Sequence, residues 1–168
     1  EALFDRYLGA GWQSHPGGDR TRSHVPDIPD EELWHAHELC RSRLIRTARE
    51  LVEYQRRMRH ASRVEVAQAK SILDNDALTI GFARRFAEYK RATLLLKDRE
   101  RFETLLKDED RPVQFIFAGK AHPADDVGKD LIRQIVHFAD EAGVRRRLVF
   151  LENYDIYVAR RLVQGVDV

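Results

Sequence analysis

The chain has 168 residues and sets 29 Lys+Arg against 28 Asp+Glu, a formal net charge of +1. That length suits one domain with a sizeable core, the 43% hydrophobic content argues against wholesale disorder, and the near-zero charge argues against a general nucleic-acid binder, which carries a clear basic excess. No apolar run approaches the ~18 residues a membrane span needs, and the single cysteine, Cys40, excludes an intramolecular disulfide and a cysteine-based zinc site while fitting a reducing, cytoplasmic setting.

Residues 1–27 are rich in Gly, Pro and Ser, with Gly9, Gly11, Pro16, Gly17, Gly18 and Pro26, and are expected as loop or linker. Residues 28–59 predict a long amphipathic helix, because Leu33, His37, Cys40, Leu44, Ala48 and Leu51 recur at spacings of three and four. Asp27 or Asp30 can cap it, and Glu31 and Glu32 suit a helix N-terminus. A short helix and a turn at Asp74, Asn75 and Asp76 complete a helical linker region over 28–77. From residue 78 the period changes. Leu78–Ala83, Val113–Ala118 and Leu148–Leu151 are short apolar runs, and residues 88–107, 124–142 and 155–163 between and after them are helical in pattern, the first with a break expected near Asp98. Val166-Asp167-Val168 reads as the start of a fourth strand. The chain opens without Met and stops inside that run, so it is expected to be a fragment of something larger.

Strands alternating with helices predict an α/β fold over 78–168, a Rossmann-like parallel sheet with crossover helices, preceded by a long helix. Continuous apolar strands predict a sheet covered on both faces. In such sheets ligands bind beyond the carboxyl ends of the strands. Here those ends run into Arg84-Arg85-Phe86-Ala87-Glu88-Tyr89-Lys90, into Gly119-Lys120-Ala121-His122-Pro123, and into Glu152-Asn153-Tyr154. Two of the three are basic. Cations beside helix N-termini suit a phosphate, since backbone N–H groups and the helix dipole add to the side-chain charge. The alternative is a solvated surface on which Arg84, Arg85 and Lys90 pair with Glu88 or Asp98. Gly119-Lys120 is no P-loop, because Ala121 follows it and the earlier glycine is missing. His35 and His37, two apart on a helix, make a poor metal pair. Arginines 41, 43, 46, 49, 56, 57 and 59 alternate with acids, which favours a solvated face over a nucleic-acid stripe.

The run Gly81-Phe82-Ala83-Arg84-Arg85-Phe86-Ala87-Glu88-Tyr89-Lys90-Arg91 resembles the phosphate-site motif of α-glucan (glycogen, starch, maltodextrin) phosphorylases. Phe117-Ala118-Gly119-Lys120-Ala121-His122-Pro123 and Phe150-Leu151-Glu152-Asn153-Tyr154-Asp155 resemble two further motifs of that family, in its order and spacing. Tyr7-Leu8-Gly9 and Ile28-Pro29-Asp30-Glu31-Glu32-Leu33-Trp34 resemble its bacterial branch. The resemblance implies part of the second domain of a glycosyltransferase B-type fold, in an enzyme that uses pyridoxal phosphate. It implies that Arg85 and Lys90 hold the substrate phosphate, that Arg84 faces the cofactor phosphate, that Tyr154 lines the cofactor pocket, and that Lys120 lies at the rim without a catalytic step. The implied reaction is phosphorolysis of an α-1,4-glucan by inorganic phosphate to glucose 1-phosphate, with retention, in a cytoplasmic, homo-oligomeric parent with no nucleic-acid or membrane partner. The family's Schiff-base lysine lies beyond Val168 in a Gly-rich motif, so the fragment alone is expected to be inactive. The alternatives are a nucleotide-sugar glycosyltransferase of the same fold and a non-catalytic glucan- or phosphate-binding module.

Overall fold

Three strands form where the apolar runs predict them, β1 (Leu78–Ala83), β2 (Val113–Ala118) and β3 (Leu148–Leu151), in a computed structural model that describes residues 2–168. They pair parallel in the order β1-β2-β3, with Ala83 opposite Ala118 and Ala118 opposite Leu151, so the three carboxyl ends stand level. β2 is buried along its whole length, as a central strand must be.

Side-chain alternation sorts the strands onto two layers. Val113, Phe115, Phe117 and Leu148 join one cluster, with Ile80, Phe82 and Phe150 against it. It is roofed by α5 (Arg99–Lys107) through Phe102 and Leu106, and by α6 (Asp126–Glu141) through Ile135, Phe138 and Ala139. Ile116, Ala118, Val149 and Leu151 join the other. That cluster is roofed by α3 (Asp30–Met58) through Leu44, Ile45, Ala48 and Val52, and by α7 (Ile156–Gly165) through Val158 and Leu162. Both faces are therefore covered, which is why the strands read as continuous apolar runs.

After α7 the backbone comes to the free side of β1. Asp167 N donates to Thr79 O at 2.8 Å, and Gly81 N to Val168 O at 2.8 Å. The strand-like 166–168 segment thus lies beside β1, opposite β2, although it does not form a full strand. The crossovers from β1 to β2 and from β2 to β3 run through α5 and α6 over one face, and α7 returns the chain over the other face to the free side of β1.

The predicted helix over 88–107 is the main correction in this region. Only Arg99–Lys107 is α-helical; Glu88–Lys90 and Leu94–Lys97 are 3₁₀ turns, and Arg91 between them is left-handed with φ 54°. Asp98, where a break was expected, is the N-cap of α5 and accepts from Arg101 N at 3.1 Å.

The chain falls into two units, one up to Cys40 and one over Arg41–Val168. In the first, residues 1–27 were expected as loop but contain α1 (Ala2–Leu8) and α2 (Asp19–His24). Gly9 and Gly11, at φ +80° and +95°, punctuate the end of α1, where a Cβ would strain the backbone. Tyr7 OH donates to Glu32 Oε1 at 2.8 Å and Arg6 pairs with Glu32 at 2.9 Å. The hydrogen bond to that carboxylate raises the Tyr7 pKa above its ordinary value.

Within the second unit, α4 (Arg63–Gln68) follows α3 behind a capping box of Ser62 and Glu65. Two side-chain clamps then hold the sheet. Gln114 is fully buried on β2; its Oε1 accepts from Asp74 N and its Nε2 donates to Asp74 O and Thr79 Oγ1, all at 2.7 Å. Gln55 of α3 serves β3, the outer strand: its Nε2 donates to Phe150 O and its Oε1 accepts from Glu152 N, both at 3.1 Å. The carboxamide meets two backbone groups on the same side of β3, as a neighbouring strand would.

Candidate functional site: a cationic rim

The carboxyl end of β1 does not stop at Ala83. Arg84 N donates to Ala118 O at 3.2 Å and Phe86 N to Lys120 O at 3.0 Å, so the segment that bears the basic residues crosses the end of β2. The crossing needs Gly119. A Cβ there would fall onto the Arg84 carbonyl oxygen and within 2.7 Å of the Phe86 ring. Arg84, Arg85 and Lys120 are exposed, and Lys90 is half-buried in the 3₁₀ turn, with Nζ 4.5 Å from the Tyr89 ring centroid.

The expected pairing with Glu88 or Asp98 is not formed. Among the described residues, neither Glu88 nor Asp98 forms an ion pair with Arg84, Arg85 or Lys90, and Asp98 is engaged at its helix cap. Elsewhere arginines do find partners. Arg57 pairs with Glu53, Arg59 with Glu152, Arg145 with Asp140, and Arg49 donates to Ile72 O and Leu73 O at 2.8 Å. Several of the arginines that resemble a nucleic-acid stripe are thus tied into the fold.

The helix N-termini differ from the expectation. Asp125 accepts from Gly128 N at 2.8 Å at the start of α6, and Asp155 accepts from Val158 N at 2.9 Å at the start of α7. Each carries its own capping carboxylate, so the positive charge of the rim rests on side chains rather than on these helix ends. An Asp directly before each helical run, Asp125 and Asp155, is the sequence signal for both caps.

Arg84, Arg85 and Lys90 lie on one short segment after β1, and the Phe86 N–H joins that segment to the Lys120 carbonyl. Tyr154 follows left-handed Asn153 (φ 56°) at the end of β3, and its half-buried side chain packs against the layer of α3 and α7. It shares the carboxyl edge of the sheet but belongs to the opposite layer from Phe86.

A separate cavity of about 380 Å³ lies among α3, α6 and β3, over Val52, Ile72, Leu148 and Val149, with Arg56 and Arg145 at its margin. Burial, and then the Arg145 guanidinium, lower the Arg56 pKa. The Arg145 and Arg59 charges there are answered by Asp140 and Glu152, which distinguishes this cavity from the rim. Among the described residues no group of three or more His, Cys, Asp or Glu could hold a metal, and no helix is long and apolar enough to cross a membrane.

Comparison with known proteins identifies the family. The family model described as carbohydrate phosphorylase matches residues 30–168, the stretch that contains all three strand-end motifs. The chain is 40% identical to a maltodextrin phosphorylase of Thermococcus litoralis over 99% of its length, and 40% identical to a glycogen phosphorylase of Aquifex aeolicus over 99%. It is 48% identical to a glycogen phosphorylase of Mycobacterium tuberculosis over 84%. It spans 19%, 24% and 16% of those relatives, less than a quarter of each. The chain, a Rossmann-like piece with its cations at the carboxyl edge, belongs to the carbohydrate phosphorylase family.

Proposed function

We propose that this chain supplies the phosphate side of the cleft in an enzyme that removes terminal glucose from an α-1,4-glucan with inorganic phosphate, releasing glucose 1-phosphate with retention. The observation that carries the reading is that Arg84, Arg85 and Lys90 stand at one strand end without a carboxylate partner among the described residues. Family membership and the names of the relatives support it. Arg85 offers a planar fork and Lys90 a compact charge, and together they hold the substrate phosphate.

Arg84 and Tyr154 are assigned to pyridoxal phosphate. The residues present suit its phosphate end, since Arg84 is an exposed cation with no ion-pair partner among the described residues, and Tyr154 offers a half-buried ring at the same edge. When bound, the cofactor supplies a phosphate that exchanges a proton with substrate phosphate. The chain's own part is electrostatic: fixed cations offset the repulsion between two phosphates and stabilise charge as the glycosidic bond breaks. A cytoplasmic, homo-oligomeric protein belongs to the same reading and rests on the family resemblance.

The test is Lys90→Ala in the full-length protein, with phosphate as the varied substrate. A charged hydrogen bond contributes roughly 1.5–3 kcal/mol, so phosphorolysis should fall at least about tenfold. Stability should change little, because Lys90 lies in a half-buried turn at the rim. Near wild-type kinetics would remove Lys90 from the site and weaken Arg85 beside it.

A further inference from the structure

We propose that Phe86 is a positioning residue for the cationic rim, and that its seat between Gly119 and Gly128 sets where Arg85 and Lys90 stand. The inference rests on reading the rim as a phosphate site. Phe86 has no solvent exposure, yet Arg84, Arg85, Glu88, Tyr89 and Arg91 around it are all exposed. Its ring meets Phe82 at 5.8 Å and Phe150 at 5.5 Å between centroids, at interplanar angles of 60° and 59°.

The backbone of Phe86 is held as closely as its ring. Its N–H donates to Lys120 O at 3.0 Å. Its carbonyl oxygen sits where a Cβ on Gly128 would come within 2.5 Å, over the first turn of α6. The two glycines therefore leave room for one residue, Gly119 for the ring and Gly128 for the carbonyl. Arg85 is the adjacent residue, and the turn that carries Lys90 starts at Ala87, whose carbonyl accepts from Lys90 N at 3.0 Å. The next buried residue along the chain is Ala92. A displacement of Phe86 consequently moves both phosphate-holding side chains, and contacts to a reacting group tolerate little displacement.

A merely structural phenylalanine makes a different prediction, and Phe102 supplies the comparison. It is 4% exposed in the same cluster and meets Phe115 and Phe138 at 5.0 and 5.2 Å, but it lies on α5 away from the rim. In the full-length protein, Phe86→Leu should raise the KM for inorganic phosphate about tenfold while the KM for glucan stays within about twofold. Phe102→Leu should lower thermal stability to a similar degree and leave the phosphate KM at the wild-type value. If Phe86→Leu fails to fold, Gly128→Ala decides: alanine favours the helix, but its methyl displaces the Phe86 carbonyl, so the phosphate KM should again rise selectively. A wild-type phosphate KM in Phe86→Leu or Gly128→Ala, or an equal rise in Phe102→Leu, would overturn the positioning role. Lys90→Ala separates the two layers of the argument. If it raises the phosphate KM while Phe86→Leu does not, the positioning role alone is wrong; if it changes nothing, the phosphate reading fails and the positioning role with it.

Discussion

The two ends of one sheet treat arginine in opposite ways. At the amino end Arg41 is buried, pairing with Asp167 at 2.8 Å and donating to Asn75 O at 3.0 Å, while the other Asp167 oxygen accepts from Thr79 N at 2.7 Å. At the carboxyl end Arg84 and Arg85 are exposed, and no carboxylate pairs with them among the described residues. A buried ion is tolerable only with its partners in place. An exposed cation without an acid leaves its donors to water or to an anion from outside. The same side chain therefore closes the fold at one end and stays exposed at the other.

The largest effect expected from this contrast is at the amino end. Arg41→Met leaves the mostly buried Asp167 carboxylate without its cation, and removing one partner of a buried pair costs roughly 3–5 kcal/mol. Urea or thermal unfolding reads that loss, and a change near zero would mean the two ends are not distinct. Next comes Arg85→Lys in the full-length protein. It keeps the charge but loses the fork, so phosphorolysis should drop by about three- to tenfold, roughly 1 kcal/mol, with the unfolding midpoint unmoved; the reverse pattern would make Arg85 structural. The smallest effect is at Glu65, an exposed acid with mainly local partners, whose pKa is lowered first by the Ser62 hydroxyl and then by the Ser62 backbone N–H. A depressed folded-state pKa contributes stability above the unfolded value of 4.5 and loses it as pH falls through the folded value. Wild type should therefore exceed Glu65→Ala by a small margin at neutral pH, and the gap should shrink in acid. A margin that widens in acid would reverse the assignment.

Most of the sheet was legible in the sequence because buried parallel strands leave unbroken apolar runs, and all three stand at the predicted positions. The stretch 88–98 was not. Tyr89-Lys90-Arg91-Ala92-Thr93-Leu94-Leu95-Leu96 contains good helix formers, but burial of Phe86 before it and of Ala92 within it, with Arg91 left-handed, overrides that preference. Glycines dominated the reading of residues 1–27 and hid two helices of seven and six residues, too short for a clear period. At the rim, residue types and strand ends were readable. Whether Glu88 or Asp98 would neutralise the cations was not, because that depends on the direction the backbone takes after Ala83. The glutamine clamps were invisible for a related reason: each depends on a partner 40 or 95 residues away.

The Gln55 clamp also bears on how the chain is born. An outer strand offers a vacant hydrogen-bonding ladder to any other chain with a matching segment. Gln55 precedes Phe150 by 95 residues, so synthesis from the amino end makes the guard long before the strand it covers. Once β3 is in place, α3 meets Phe150 O and Glu152 N from the same chain. A neighbouring nascent copy therefore has to displace a tethered carboxamide before it can add a strand there.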